Sequence, residues 1–202
     1  MFALIENGQF VKIVNSNKGI TIGDNQYPKS IYNLWSEDER NAIGIYEVSV
    51  DNTNKKDEAY YINTDISYSF DGSSVIGSYG TATPKPLDDI FFVEGDEIPS
   101  DKQVGDVKQY GLKGLEIAKI KAQAGGLLAP SDWYVIRYQE DNTKTIPTDV
   151  AIYRNEVRAK SDEMESQINA CGTVEDLKIL FTWTEDEQGN ITRPLASFPE
   201  VI

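Results

Sequence analysis

The chain has 202 residues, of which 40% are apolar and 26% charged, with a formal net charge of −14, no histidine and one cysteine. That is room for one ordinary domain or two small ones, and too apolar for wholesale disorder. The acidic balance argues against a nucleic-acid partner, which needs clustered Lys and Arg. The missing histidines remove the commonest general base and transition-metal ligand, which lowers the expectation of an enzyme. No apolar run is long enough to span a bilayer, and MFALIENGQF lacks a basic leader, so neither a membrane protein nor a signal peptide is read. Cys171, alone, cannot form an internal disulfide and fits a reducing compartment.

Taken in order, Phe2–Glu6 and Gln9–Val14 flank Asn7-Gly8, the strongest short hairpin signal. Ser36 and Glu39 form a capping-box pair that starts a short helix, with Gly44 as its stop and Trp35 packing back on its first turn or into the sheet. Ile45–Val50 alternates as a strand does, and Tyr60–Phe70 and Val75–Thr81 add strand material around the Asp71-Gly72 turn. Residues 1–82 therefore read as a small antiparallel sheet with one short helix, and 83–103, interrupted by Pro, Gly and Asp, as a linker. In 104–202 the composition predicts a helix over Val107–Ala124, stopped by Gly125-Gly126 and Pro130. Trp133–Gln139 alternates aromatic and aliphatic residues and is predicted as a strand. Pro147 opens a long amphipathic helix whose stripe runs Val150, Val157, Met164, Cys171, with Tyr153 and Ile168 beside it. Thr173 and Asp176 then cap a short helix to Leu180, and the tail has two short β-like runs before an extended end. The fold class expected is α+β, with Trp133, Tyr153 and Val157 buried together.

No catalytic constellation emerges. Asp51–Glu58 superficially suggests a calcium loop but lacks the central glycine and the twelfth-position Glu, so a solvated loop is the better reading. Asp88-Asp89 and Glu185–Glu187 read as solvated charge runs rather than acid–base pairs. Cys171 falls on the apolar stripe and reads as a core thiol. No cofactor or metal is expected. The surface candidates are Trp133, Tyr134 and Tyr138, which could form a carbohydrate platform or meet a partner chain, and Arg193, Leu195 and Phe198 in the tail.

Two stretches carry a family resemblance. LLAPSDWYVIR (Leu127–Arg137), followed by Ile146-Pro147 and AIYRNEVR (Ala151–Arg158), resembles a module of tailed-bacteriophage tail fibre and tail assembly chaperone-like proteins. Leu34–Arg40 with Ile43–Tyr46, and Ala82–Leu87, are similar to the segment that often precedes it. The resemblance implies a non-enzymatic virion protein, tail- or tail-fibre-associated, assembled in the host cytoplasm. Its partners would be other tail or fibre proteins, or copies of itself, with no nucleic acid and no membrane. The alternative it implies is an assembly chaperone that binds its client transiently.

Overall fold

The computed structural model describes residues 1–201. The architecture is α+β, and the chain divides into two compact units, one running to Thr83 and one starting at Pro84.

The first unit is built on a five-stranded sheet. Strands β1 (Phe2–Glu6) and β2 (Gln9–Val14) form the expected hairpin, with Asn7 at φ 51° and Gly8 at φ 74°, the left-handed pair that an Asn-Gly turn supplies. The short strands β3 (Ile20–Ile22) and β4 (Asn25–Tyr27) make a second hairpin, followed by helices α1 (Ile31–Leu34) and α2 (Glu37–Ala42). Strand β5 (Ile45–Asp51) precedes the two-residue β6 (Tyr61–Ile62). The hairpin β7 (Ile66–Phe70) and β8 (Val75–Tyr79) follows, and β9 (Thr83–Pro84) lies at the division. The sheet order is β2-β1-β5-β8-β7. All its pairings are antiparallel except β5 with β8, which run parallel.

Alternation gives this sheet two apolar faces. Leu4 and Ile45 pack with Ile31 and Tyr32 of α1, while Ala3, Ile5, Val48 and Val75 face the other way under Phe10, Tyr46 and Phe70. The Ser36–Glu39 capping box is present, each side chain taking the other residue's backbone N–H. Trp35 packs back edge-on against Tyr27. Gly44, at φ 82°, stops α2 where a Cβ would stand 2.4 Å from the Ile5 carbonyl oxygen. Only glycine suits both the conformation and the close approach.

The second unit opens with segment 86–89, which caps a helix. Strand β10 (Ile90–Phe91) pairs with β11 (Val107–Gln109). The stretch read from sequence as a linker therefore includes hairpin structure, with Phe92 buried behind it. Helix α3 (Leu112–Leu128) begins later and ends later than predicted: Val107–Gln109 is strand, and the helix runs through Gly125-Gly126. A 3-10 turn (Ala129–Ser131) joins it to α4 (Asp132–Glu140), so Trp133–Gln139 is helical, not a strand. Pro130 sits in the first turn, where its missing N–H costs nothing. Burial in α4 follows a helical period: Ser131, Tyr134 and Val135 turn inward, while Trp133 and Ile136 turn out.

Helix α5 (Thr148–Ala170) packs on α3 and buries Val150, Tyr153, Val157, Met164 and Ile168 along the predicted stripe. Cys171 is also buried, at the helix's C-terminal cap. Helix α6 (Val174–Phe181) carries the Thr173–Asp176 capping box and buries Leu177. Strands β12 (Thr184–Glu185) and β13 (Ile191–Thr192) pair as a short hairpin before the tail.

Candidate functional site

The strongest concentration of directed polar contacts lies where α3 passes into α4. Arg154 projects from α5 into this junction and is only 6% exposed. Its guanidinium donates to the Leu128 carbonyl oxygen (2.9 Å), to Ser131 Oγ (2.6 Å) and to the Asp132 carboxylate (2.8 Å). Ser131 Oγ itself donates to the Leu128 carbonyl at 2.8 Å. A planar fork with several donors suits this set of acceptors, which an ammonium could not reach from one point. The result is a rigid joint that sets the direction of α4.

On α4 this joint presents an aromatic platform. The Trp133 and Tyr134 rings stack with centroids 3.8 Å apart, and the Arg137 guanidinium lies 4.8 Å from the first centroid and 5.4 Å from the second. Trp133 is 49% exposed, so the expectation that it is buried with Tyr153 and Val157 fails, although those two do pack together with Ala124. The failure follows from the secondary structure. As a helix, α4 turns Trp133 to solvent together with Ile136 and Tyr138. Arg193 similarly stacks over exposed Trp183, at 4.8 Å.

The tail candidates separate. Arg193 is half-buried on Trp183, and Phe198 is half-buried against the Ala124–Tyr153–Val157 cluster. Leu195, 2% exposed, is a core residue and offers no surface. Its N–H donates to the Leu180 carbonyl at 3.0 Å, while Gln167 bonds both the Pro194 carbonyl and the Ala196 N–H. The extended tail is thus fastened to α5 and α6 of its own chain.

The acidic candidates are engaged locally. Asp51 accepts from the Thr53 N–H and hydroxyl, and these bonds hold its carboxyl below the usual range. Asp71, held down to about 2, accepts from Ser74 and Ser73 at the β7–β8 turn. Asp186 is lowered by Asn190 and its neighbours. Asp89 accepts from the Gly111 N–H at 2.7 Å, and the Pro86 and Leu87 carbonyls accept from Leu112 and Lys113. Asp88 pairs with Lys113 at 2.9 Å. Segment 86–89 therefore closes the N-terminus of α3 with Asp89 engaged there, while the Asp88 side chain stays solvated, 75% exposed. It also leaves two glycines where no side chain would fit. A Cβ at Gly111 would meet the Asp88 backbone at 2.3 Å, and one at Gly114 would meet Asp89 Oδ1 at 2.3 Å.

Among the described residues no group of three or more His, Cys, Asp or Glu side chains could hold a metal ion, and no helix is long and apolar enough to cross a membrane. Burial pushes the Cys171 thiol up, with Asp176 adding to the effect, which disfavours the reactive thiolate. A cavity of about 300 Å³ lies between Leu127, Pro130, Tyr134, Asp149, Tyr153 and Val201. It brings no nucleophile and base together. Sequence reasoning missed Arg154, although a charge four residues after Val150 and three before Val157, on the inward stripe, was a usable signal.

Comparison with protein-family models, with curated proteins and with solved structures returns no match.

Proposed function

We propose that this chain is a non-enzymatic protein of a tailed bacteriophage, associated with the tail or its fibres and working through protein–protein contact. The family resemblance of Leu127–Arg137 and Ala151–Arg158 supplies the phage context, and those are the segments that build the arginine joint. The observation that carries the contact role is the platform on α4. Exposed Trp133, stacked on half-buried Tyr134 and Arg137, leaves apolar surface in solvent beside Ile136 on a helix whose direction Arg154 fixes. Trp, Tyr and Arg are the residues that most often dominate protein interfaces, and a rigid presentation lowers the ordering cost of association. Other tail or fibre proteins are the partners proposed, and the virion tail, assembled in the host cytoplasm, is the place.

Complementation tests the reading. A phage deleted for this gene is supplied with wild-type chain or with Trp133→Ala/Ile136→Ser, a pair of exposed positions whose change should cost little stability. The variant should give particles with tail or fibre defects and a titre at least tenfold lower. Wild-type titre from a stably expressed variant would remove the α4 platform from the contact surface.

A further inference from the structure

The strap formed by residues 193–201 is not fastened evenly. Its hydrogen bonds, among the described residues, stop at Ala196: Leu195 bonds Leu180, and Gln167 bonds Pro194 and Ala196. Leu195 is fully seated, whereas beyond Ala196 only half-buried Phe198 and Pro199 face the helix, and Ser197, Glu200 and Val201 are exposed. This second part borders open surface grooves rather than a sealed core. One of about 340 Å³ lies beside Ser197 and Pro199, against Glu156, Ala159 and Lys160, and one of about 300 Å³ lies beside Val201. The hydroxyl of Tyr153, a member of the cluster that Phe198 packs against, is buried without a hydrogen-bond partner among the described residues. Buried hydroxyls are nearly always bonded, and contact with water would satisfy this one.

We infer that the strap is a two-part device: a fixed latch through Ala196, and a flap from Ser197 to Val201 that opens to uncover Tyr153 and Val157. The hinge is the Ala196–Ser197 junction, where the hydrogen bonds cease. Opening breaks no hydrogen bond among the described residues, gives up the Phe198 contact, and hydrates the Tyr153 hydroxyl. It exposes an apolar strip of Ala124, Tyr153 and Val157 while the latch keeps Leu195 in the core. This is low-energy local opening of the kind confined to segments with few buried contacts.

Thiol labelling tests it on the full chain. Val157→Cys is placed in a Cys171→Ala background, and its rate of reaction with an aromatic disulfide reagent is compared with that of Cys171 in the wild-type chain. Both rates are normalised to the unfolded chain. Cys171 bonds the carbonyl of Gln167, the residue whose side chain holds the latch, and reports larger openings. The introduced thiol should react at least tenfold faster than Cys171, faster again with Phe198→Ala, and more slowly with Tyr153→Phe. Equal rates at the two positions, or a rate untouched by Phe198→Ala, overturn the flap. A rate untouched by Tyr153→Phe overturns the part given to the hydroxyl. Ala124→Cys, read in the same way, replaces Val157→Cys should circular dichroism show that variant misfolded.

Discussion

Replacing Arg154 by methionine removes the guanidinium while keeping most of the stem's bulk, and so isolates the polar joint between α5 and the α3–α4 junction. Three interactions are lost, and they are unequal. The Asp132 side chain is 54% exposed, so its ion pair at 2.8 Å is screened and contributes about 1 kcal/mol or less. The bonds to the Leu128 carbonyl and Ser131 Oγ are charge-assisted and shielded, and such bonds contribute about 1.5–3 kcal/mol. Ser131 Oγ already donates to Leu128, so those two acceptors are not left wholly unpaired. The net expectation is a loss of about 2–4 kcal/mol from the second unit. With a urea m-value of about 2 kcal/mol/M, the transition reported by that unit should move down by roughly 1–2 M. Urea melts followed by fluorescence separate the units, because Trp133 and Trp183 lie in the second and Trp35 in the first. A double-mutant cycle with Asp132→Asn should give a coupling of about 1 kcal/mol or less. A midpoint for Arg154→Met within experimental error of wild type would refute the joint as a stabilising element.

Four further outcomes are expected. Gly111→Ala should destabilise the second unit by about 2 kcal/mol or more, since the Asp88 backbone must move, and a calorimetric shift of less than 1 °C would contradict this. Asp176→Ala, which breaks the α6 capping box, should cost about 1 kcal/mol in the same melts. Trp133→Ala alone should change stability by about 0.5 kcal/mol or less, because half of the side chain is already in water; a large loss would mean that the indole is structural. Asp71 carries a pH signature: its folded pKa of about 2 lies below the ordinary 3.8, so its contribution is complete above 3.8 and is lost as pH falls through 2. Melting temperature against pH should therefore be flatter between about 4 and 2 in Asp71→Asn than in wild type.

Local chemistry made part of this fold legible. Asn7-Gly8, the Ser36–Glu39 and Thr173–Asp176 boxes and the α5 stripe each act through neighbours a few residues away, and each appears where the sequence placed it. The misreadings share a cause in long-range contact. Alternating Trp133–Gln139 has the composition of a strand, but Arg154, more than 20 residues away, anchors the preceding turn and the helix start. Gly111 and Gly114 lower helix propensity, yet they are required by Asp88-Asp89, also more than 20 residues away. Tertiary contact outweighs propensity at both places. The platform residues were singled out for their aromatic character, but helical geometry decides which of them meet solvent. Leu195 could not be distinguished from Phe198 by residue type, because what separates them is the Leu180 and Gln167 hydrogen bonding around Leu195.

The proposed role is tested most directly by quantitative mass spectrometry of gradient-purified virions of the phage to which the proposal assigns this chain. The account predicts that the protein is present in mature particles, at a constant ratio to a tail or fibre protein. A chain required for particle assembly but absent from purified virions would contradict the structural role and identify it instead as a transient assembly chaperone.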